Sequence, residues 1–238
     1  MQQVKLLDSN EKEIFIKEII ETSIRNMLSL IKDYNKKGID LSVEIIKINS
    51  CLNELIIAKG NFTLYEAKAK KIYYSCFNKI IKNKDFTFEK RDVYPPKDKI
   101  NALMSYGYAL LYSIIENDIH QSNLCISLPF IHGVSRHSGG LQYDIADIFK
   151  PVIVDRLIFR LINKHQINSE YFQETNKGVL LNKNGIKVFI EEFESLLQKV
   201  IIHNGKKLSY RSIIKREIFK IEKAIKDNKK YCGFLMRW

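Results

Sequence analysis

Apolar residues recur at spacings of three and four along most of the chain, as in Ile16, Ile19, Ile20, Ile24, Met27, Leu28 and Ile31. This period lays one apolar stripe along each of a series of helices, so the fold is expected to be mainly α. The first helix should follow Asp8 or Ser9 and stop near Lys36, Lys37 and Gly38, with glycine as terminator. A second covers residues 42 to about 58 and ends at Gly60. A third opens at Thr63, where Thr63-Leu64-Tyr65-Glu66 has the capping-box spacing, and continues to about Lys82. Phe86 and Phe88 then alternate with polar residues, and Pro95-Pro96 forms a stiff connector. The fourth helix, from Asp98 to about Asn117, contains the uncharged stretch Ile100 to Ile115. At 16 residues it falls short of the roughly 18 a bilayer requires, so it reads as the centre of the core and no membrane partner is expected.

From Ser122 to Gly140 the helical period fails, and Gly133, Gly139 and Gly140 signal a long loop of the kind that usually carries function. Helix returns at Leu141 and continues to about Asn163, bent or restarted at Pro151, which removes an amide donor and crowds the preceding turn. Short helical or turn segments around residues 169–172 lead to a turn at Asn176-Lys177-Gly178. Two more helices are expected over residues 183 to 202 and 209 to 228. There is no internal repeat and no low-complexity linker. The 238 residues, 45% hydrophobic and 28% charged, are those of a globular chain and exclude disorder, collagen and a small disulfide scaffold.

The positive charge changes the picture more than its net value of +12 suggests. Residues 59–99 hold 11 basic and 5 acidic residues, residues 199–238 hold 12 and 3, and the remainder is slightly acidic. Such clustering fits a polyanion, since phosphate neutralisation by Lys and Arg supplies most of the affinity for nucleic acid. The alternative is a set of solvated lysines on helix backs. In the C-terminal stretch Lys206, Lys207, Arg211, Lys215 and Arg216 are candidates to hold DNA backbone, with Lys207, Arg211 and Lys215 at four-residue spacing on one helix face. Cys51, Cys76, Cys125 and Cys232 are far apart and are expected to be buried thiols, neither a zinc site nor a disulfide framework. The opening MQQVKLLDSNEKE lacks the apolar core of a signal peptide, so a cytoplasmic protein is expected.

Asp144 and Asp147 stand three apart, which places both carboxylates on one helix face. Either a cation lies between them or they complement the dipole of a first helical turn. His132 closes the apolar stretch that leads into this helix and is either a hydrogen-bonded core residue or a ligand. Glu66 is either a capping-box partner of Thr63 or part of the same site.

Several longer strings decide among these readings. Asn101-Ala102-Leu103-Met104-Ser105-Tyr106-Gly107-Tyr108-Ala109-Leu110-Leu111-Tyr112, following Pro95-Pro96, closely resembles the core helix of the CRISPR-associated integrase family, the adaptation endonuclease of CRISPR systems. Leu64-Tyr65-Glu66-Ala67 resembles its glutamate motif and Phe130-Ile131-His132 its Phe-Leu-His motif. Tyr143 to Pro151, followed by Val154-Asp155-Arg156, resembles its acidic helix; Gly178-Val179-Leu180-Leu181 and the ending Tyr231 to Trp238 also fit. Pro129 stands where the family usually has Gly, and Tyr231-Cys232-Gly233-Phe234 replaces its Tyr-x-Pro-Phe.

The resemblance implies a single helical catalytic domain over residues 1–238, with core motifs in 61–156 and basic helices in 183–238. It implies one Mg²⁺ or Mn²⁺ on Glu66, His132 and Asp147, with Asp144 beside them in catalysis and Tyr112 positioning DNA. Oxygen and imidazole donors suit those ions. Lys150 and Arg156 join the basic residues that hold DNA. The implied reaction is phosphodiester transesterification that joins short DNA fragments into a CRISPR repeat array, on double-stranded and branched DNA. The rival is a helical DNA-binding module without catalysis. The family's β-rich N-terminal domain is expected to be absent from this chain. Full-length members are homodimers that bind a small CRISPR adaptation partner of nuclease fold, so a monomer or weak dimer is expected of this chain.

Overall fold

The computed structural model describes residues 2–133, 139–176 and 178–237, and its order of elements starts with a helix the periodicity did not single out, α1 (Gln2–Leu7). The helices α2 (Lys12–Lys36) and α3 (Ser42–Ile57) follow, then α4 (Phe62–Ser75), a separate turn α5 (Phe77–Ile80) and the long α6 (Lys99–His120). The third expected helix is therefore broken after Ser75. Its start also differs: Asn61, in the left-handed region at φ 52°, precedes α4, and no side chain caps it. Thr63 and Glu66 do not form a capping box, because Glu66 turns inward to a charged partner. Helix α6 starts where expected and is capped, with Asp98 Oδ1 accepting from Asn101 N at 2.7 Å.

The acidic helix divides in three: α7 (Leu141–Phe149), a π-helical turn over Lys150–Asp155, and α8 (Arg156–Asn163). Pro151 accounts for the change. It has no N–H to offer Asp147 O one turn back, and the hydroxyl of Ser23 on α2 donates to that carbonyl instead, at 3.0 Å. Asn26, one turn further along α2, donates to both Ile148 O and Phe234 O at 2.9 Å and accepts from Met236 N at 2.9 Å. One amide thus ties α7 and the C-terminal tail to α2. Asn26→Ala leaves three backbone groups without partners, two of them buried, and is expected to lower stability by about 3 kcal/mol, read from the urea midpoint.

Beyond α8 a short 3-10 turn (Ser169–Tyr171) enters an antiparallel hairpin of β1 (Phe172–Thr175) and β2 (Gly178–Leu181). Lys177, in the expected turn, lies outside the described residues, as do residues 134–138 of the long loop and Trp238 of the ending. Helix α9 (Lys183–Gln198) ends earlier than expected. A second hairpin, β3 (Val200–His203) and β4 (Lys206–Ser209), replaces its last turn and leads into α10 (Tyr210–Asp227). Asn204 and Gly205 at its tip both have positive φ, 49° and 75°, as a two-residue hairpin turn demands.

The apolar stripes of α2, α6, α7, the π turn and α8 meet in one core that includes Ile19, Ile24, Leu103, Ile145, Val154 and Ile158. Gly107 lets α6 approach closely: a Cβ there would lie 2.5 Å from Val154 Cγ1 and 2.9 Å from the Phe189 ring. Of the four cysteines expected to be buried, Cys51 and Cys76 are, Cys125 is half-buried and Cys232 is exposed. Cys232 lies in an extended tail whose inward positions go to Tyr231 and Phe234. Among the described residues no helix is long and apolar enough to cross a membrane.

Candidate active site

Glu66 projects from the middle of α4 and Asp147 from α7, both buried. Between them sits the ammonium of Lys70, one turn after Glu66: Nζ is 2.9 Å from Glu66 Oε1 and 3.1 Å from Asp147 Oδ2. A second ammonium, that of Lys150, pairs with Asp147 Oδ1. Burial alone would push the Asp147 carboxyl up, but Lys150 and Lys70 more than offset it and hold the group well below the usual carboxylate range. Glu66 goes the other way, raised by burial and by the Asp147 charge against the pull of Lys70. Its Oε1 is close to Lys70 but makes no hydrogen bond of proper alignment, which leaves a buried carboxylate oxygen with spare acceptor capacity.

Asp144, expected beside Glu66, His132 and Asp147, faces the His132 end of the loop. Its buried carboxylate accepts from Phe130 N (2.6 Å), Ile131 N and His132 N (both 3.1 Å), and pairs with the His132 ring at Nδ1 (2.6 Å). Those four contacts use up its acceptors. Asp144 pins the loop and orients the imidazole. With Nδ1 turned to Asp144, Nε2 is the ring nitrogen left to face a ligand. That hydrogen bond also raises the His132 pKa, despite partial burial.

Tyr112 on α6 forms the wall of the site. Its ring meets Tyr143 edge-on at 4.7 Å, Tyr143 in turn lies 5.7 Å from the His132 ring, and Lys150 Nζ stands 5.1 Å over Tyr112 and 5.0 Å over Tyr108. Lys70 and Tyr143 were not anticipated as site residues. The four-residue step from Glu66 to Lys70 was the available signal, since such pairs face one another on a helix.

The structure brings Glu66 and Asp147 onto one shared cation, a lysine ammonium, and sets His132 where its charge acts on Asp147. Among the described residues, no three of His, Cys, Asp and Glu form a group that could hold an ion in this conformation. The chemistry of the donors nevertheless suits a hard divalent cation: two carboxylates already bridged by a positive group, an orphaned carboxylate oxygen, and an imidazole held by a carboxylate behind it.

The residues expected to hold DNA separate into two sets. Lys206, Lys207, Lys215 and Arg216 are exposed, Lys215 donating to Gln121 Oε1 at 2.8 Å. Lys207 lies on β4, so it does not share a helix face with Arg211 and Lys215. Arg211 commits its guanidinium to the buried carboxylate of Asp118, with Nη2 2.7 Å from Oδ1. Lys150 is held on Asp147, and Arg156 donates to Tyr210 OH at 3.0 Å beside a small cavity it lines with Arg160 and Lys199. Arg211 and Lys150 thus have inward partners that a phosphate contact would have to replace.

Charges of both signs cost free energy to bury, so this cluster stands out as the candidate site of the helical chain. A family model described as CRISPR associated protein Cas1 matches residues 1–195. A CRISPR-associated endonuclease Cas1 from Fusobacterium nucleatum is 33% identical over all of this chain and 72% of its own length. The solved Cas1 protein of Thermotoga maritima superposes with a TM-score of 0.85 at 28% identity, over 98% of this chain and 71% of that one. A casposase bound to integration product shares the fold with a TM-score of 0.89 at 21% identity, over 98% and 70%. The chain belongs to the Cas1 family of CRISPR-associated proteins.

Proposed function

We propose that this chain is a divalent-metal-dependent DNA endonuclease and integrase that joins short DNA fragments into a CRISPR repeat array. The observation that carries the reading is the pair of buried carboxylates, Glu66 and Asp147, sharing one cationic partner. Glu66, Asp147 and His132 Nε2 are the groups that would hold Mg²⁺ or Mn²⁺. The ion supplies Lewis-acid stabilisation of charge on a phosphodiester. Asp144 keeps the imidazole in the tautomer that leaves Nε2 free. Tyr112 and Tyr143 shield one side of the site from water, and Lys150 offers positive charge to phosphate. In the proposed transfer a 3′ oxygen forms a bond to phosphorus as the bond to the leaving 3′ oxygen breaks. The proton passes from the incoming hydroxyl to the departing one, so the number of phosphodiesters is unchanged. The exposed lysines of residues 59–99 and 199–238 would hold the duplex and branched DNA on which this happens, and the Cas1 relatives named endonuclease and the casposase bound to integration product support that substrate class.

The test is cleavage and strand transfer on branched DNA with Mn²⁺, with and without chelator. Product that depends on Mn²⁺ and disappears with chelator is expected; DNA binding with no product under any metal would favour the non-catalytic module instead.

Lys70 competes for the site under this reading. Lys70→Met is expected to lower the melting temperature without metal, because Glu66 loses its counter-charge. It should also enlarge the upward shift produced by Mn²⁺, since ion binding no longer displaces an ammonium. Thermal scans over a Mn²⁺ series, each compared with wild type, check both signs.

A further inference from the structure

Two turns of helix beyond Asp147, another buried carboxylate takes no part in the proposed chemistry. Asp155, the last residue of the π-helical turn, is 1% exposed. Its Oδ2 accepts from Tyr73 OH at 2.8 Å and its Oδ1 from Tyr108 OH at 2.7 Å, and both tyrosines are buried. Tyr73 belongs to α4, seven residues beyond Glu66 and so on the same face two turns away. Tyr108 belongs to α6, one turn before Tyr112, with the Lys150 ammonium 5.0 Å over its ring. The carboxylate is therefore a three-way tie between the helix that carries Glu66 and Lys70, the helix that carries Tyr112, and the segment that carries Asp147 and Lys150.

The π turn makes this tie possible. Eight residues of α-helix would leave residue 155 about 80° around the axis from residue 147. A π turn is wider and rotates less per residue, which carries Asp155 back toward the face of Asp147. Pro151, by breaking the α-helical ladder, thus serves the site at two removes.

We infer that Asp155 is a positioning residue: held by Tyr73 and Tyr108, it fixes the separation of α4 from α7 and with it the affinity of the Glu66–Asp147 pair for a divalent cation. The inference rests on the metal reading given above. Its support is the geometry of that tie, kept although a buried carboxylate is costly to the fold. Burial raises its pKa to about 6, against the two phenol donors and the charges of Lys150 and Arg91, which favour the anion. Tyr74 also feels the Asp155 charge from α4. A group kept for packing alone would be better served by a neutral amide. An amide, however, cannot accept from both phenols: its NH2 would face the second phenol as a donor, so the fold survives but the two helices are no longer drawn onto one anion.

The experiment compares wild type with Asp155→Asn in two measurements at pH 7.5, thermal melting without metal and Mn²⁺ affinity by calorimetry. The expected result is a split: the melting temperature is unchanged or higher, while the Mn²⁺ dissociation constant rises about tenfold, the lower end of what loss of an outer partner does to a metal site. A purely structural role predicts the opposite pattern, a lower melting temperature with unchanged affinity. Tyr73→Phe and Tyr108→Phe, which each delete one donor and keep the carboxylate, should weaken Mn²⁺ binding in the same direction, and they decide the question if Asp155→Asn does not fold. Equal affinity in wild type and the variants overturns the inference while leaving the metal reading intact. A wild type that binds no Mn²⁺ overturns the metal reading and this inference with it.

Discussion

Asp147→Asn is expected to reduce Mn²⁺-dependent strand transfer by at least about 10³-fold, the scale on which loss of one transition-state-stabilising group is felt. The carboxylate lies at the crossing of every charged interaction in the site: Lys70 on one oxygen, Lys150 on the other, Glu66 and His132 within electrostatic reach. Glu66→Gln should have an effect of the same order. Because the two carboxylates act on one cation, the double variant is expected to be no worse than the poorer single one, the mark of groups that work as a unit. Duplex affinity without metal should stay within about threefold of wild type, since phosphate contacts from surface lysines supply it. Strand-transfer assays of the two single variants and the double one, beside filter binding, settle the matter. More than a tenth of wild-type activity in Asp147→Asn would remove this carboxylate from the chemistry.

What the sequence made legible and what it did not divide along a physical line. Elements whose period is strong and whose caps are local came through: α3 and α6 lie within a few residues of where the apolar spacing and Asp98 place them. The bend at Pro151 was visible as a missing donor, although its form, a π turn repaired by Ser23, depends on a helix 128 residues earlier in the chain. The β3–β4 hairpin was lost because Ile201 and Ile202 extend the helical period of α9. The better signal was Asn204-Gly205, which favours a tight turn irrespective of the residues before it. In the site, the motifs named Glu66, His132, Asp144 and Asp147, but spacing alone could not say which carboxylate faces which partner. Asp144 turned to the loop because three consecutive amides, of Phe130, Ile131 and His132, converge on it. Lys70 was hidden in a basic stretch, where one ammonium looks like any other until a buried carboxylate lies opposite.

The same blindness applies to Arg211, and here the outcome reverses what the charge pattern suggests. Arg211→Ala is expected to act on stability first. The Asp118 side chain is 0% exposed and its guanidinium partner 29% exposed, joining α6 to the start of α10. Truncating the arginine strands a buried carboxylate, at a cost of about 3 to 5 kcal/mol, whereas a surface substitution usually stays within about 0.5 kcal/mol. For a chain of this length the melting temperature should fall by roughly 10 °C. Lys207→Ala and Arg216→Ala, at exposed positions, should leave it unchanged. A paired change, Arg211→Leu with Asp118→Leu, removes both charges together and should recover most of the loss, because an apolar pair leaves nothing uncompensated. Salt titrations of duplex binding supply the other half of the contrast. Each exposed lysine or arginine that touches backbone contributes about 0.9 to the slope of log affinity against log salt, and Lys207→Ala and Arg216→Ala should lower it by that amount. If Arg211 is a tie between helices, the paired leucine variant keeps the wild-type slope. A slope reduced by about 0.9 in that folded variant would show that Arg211 leaves Asp118 for phosphate when DNA arrives.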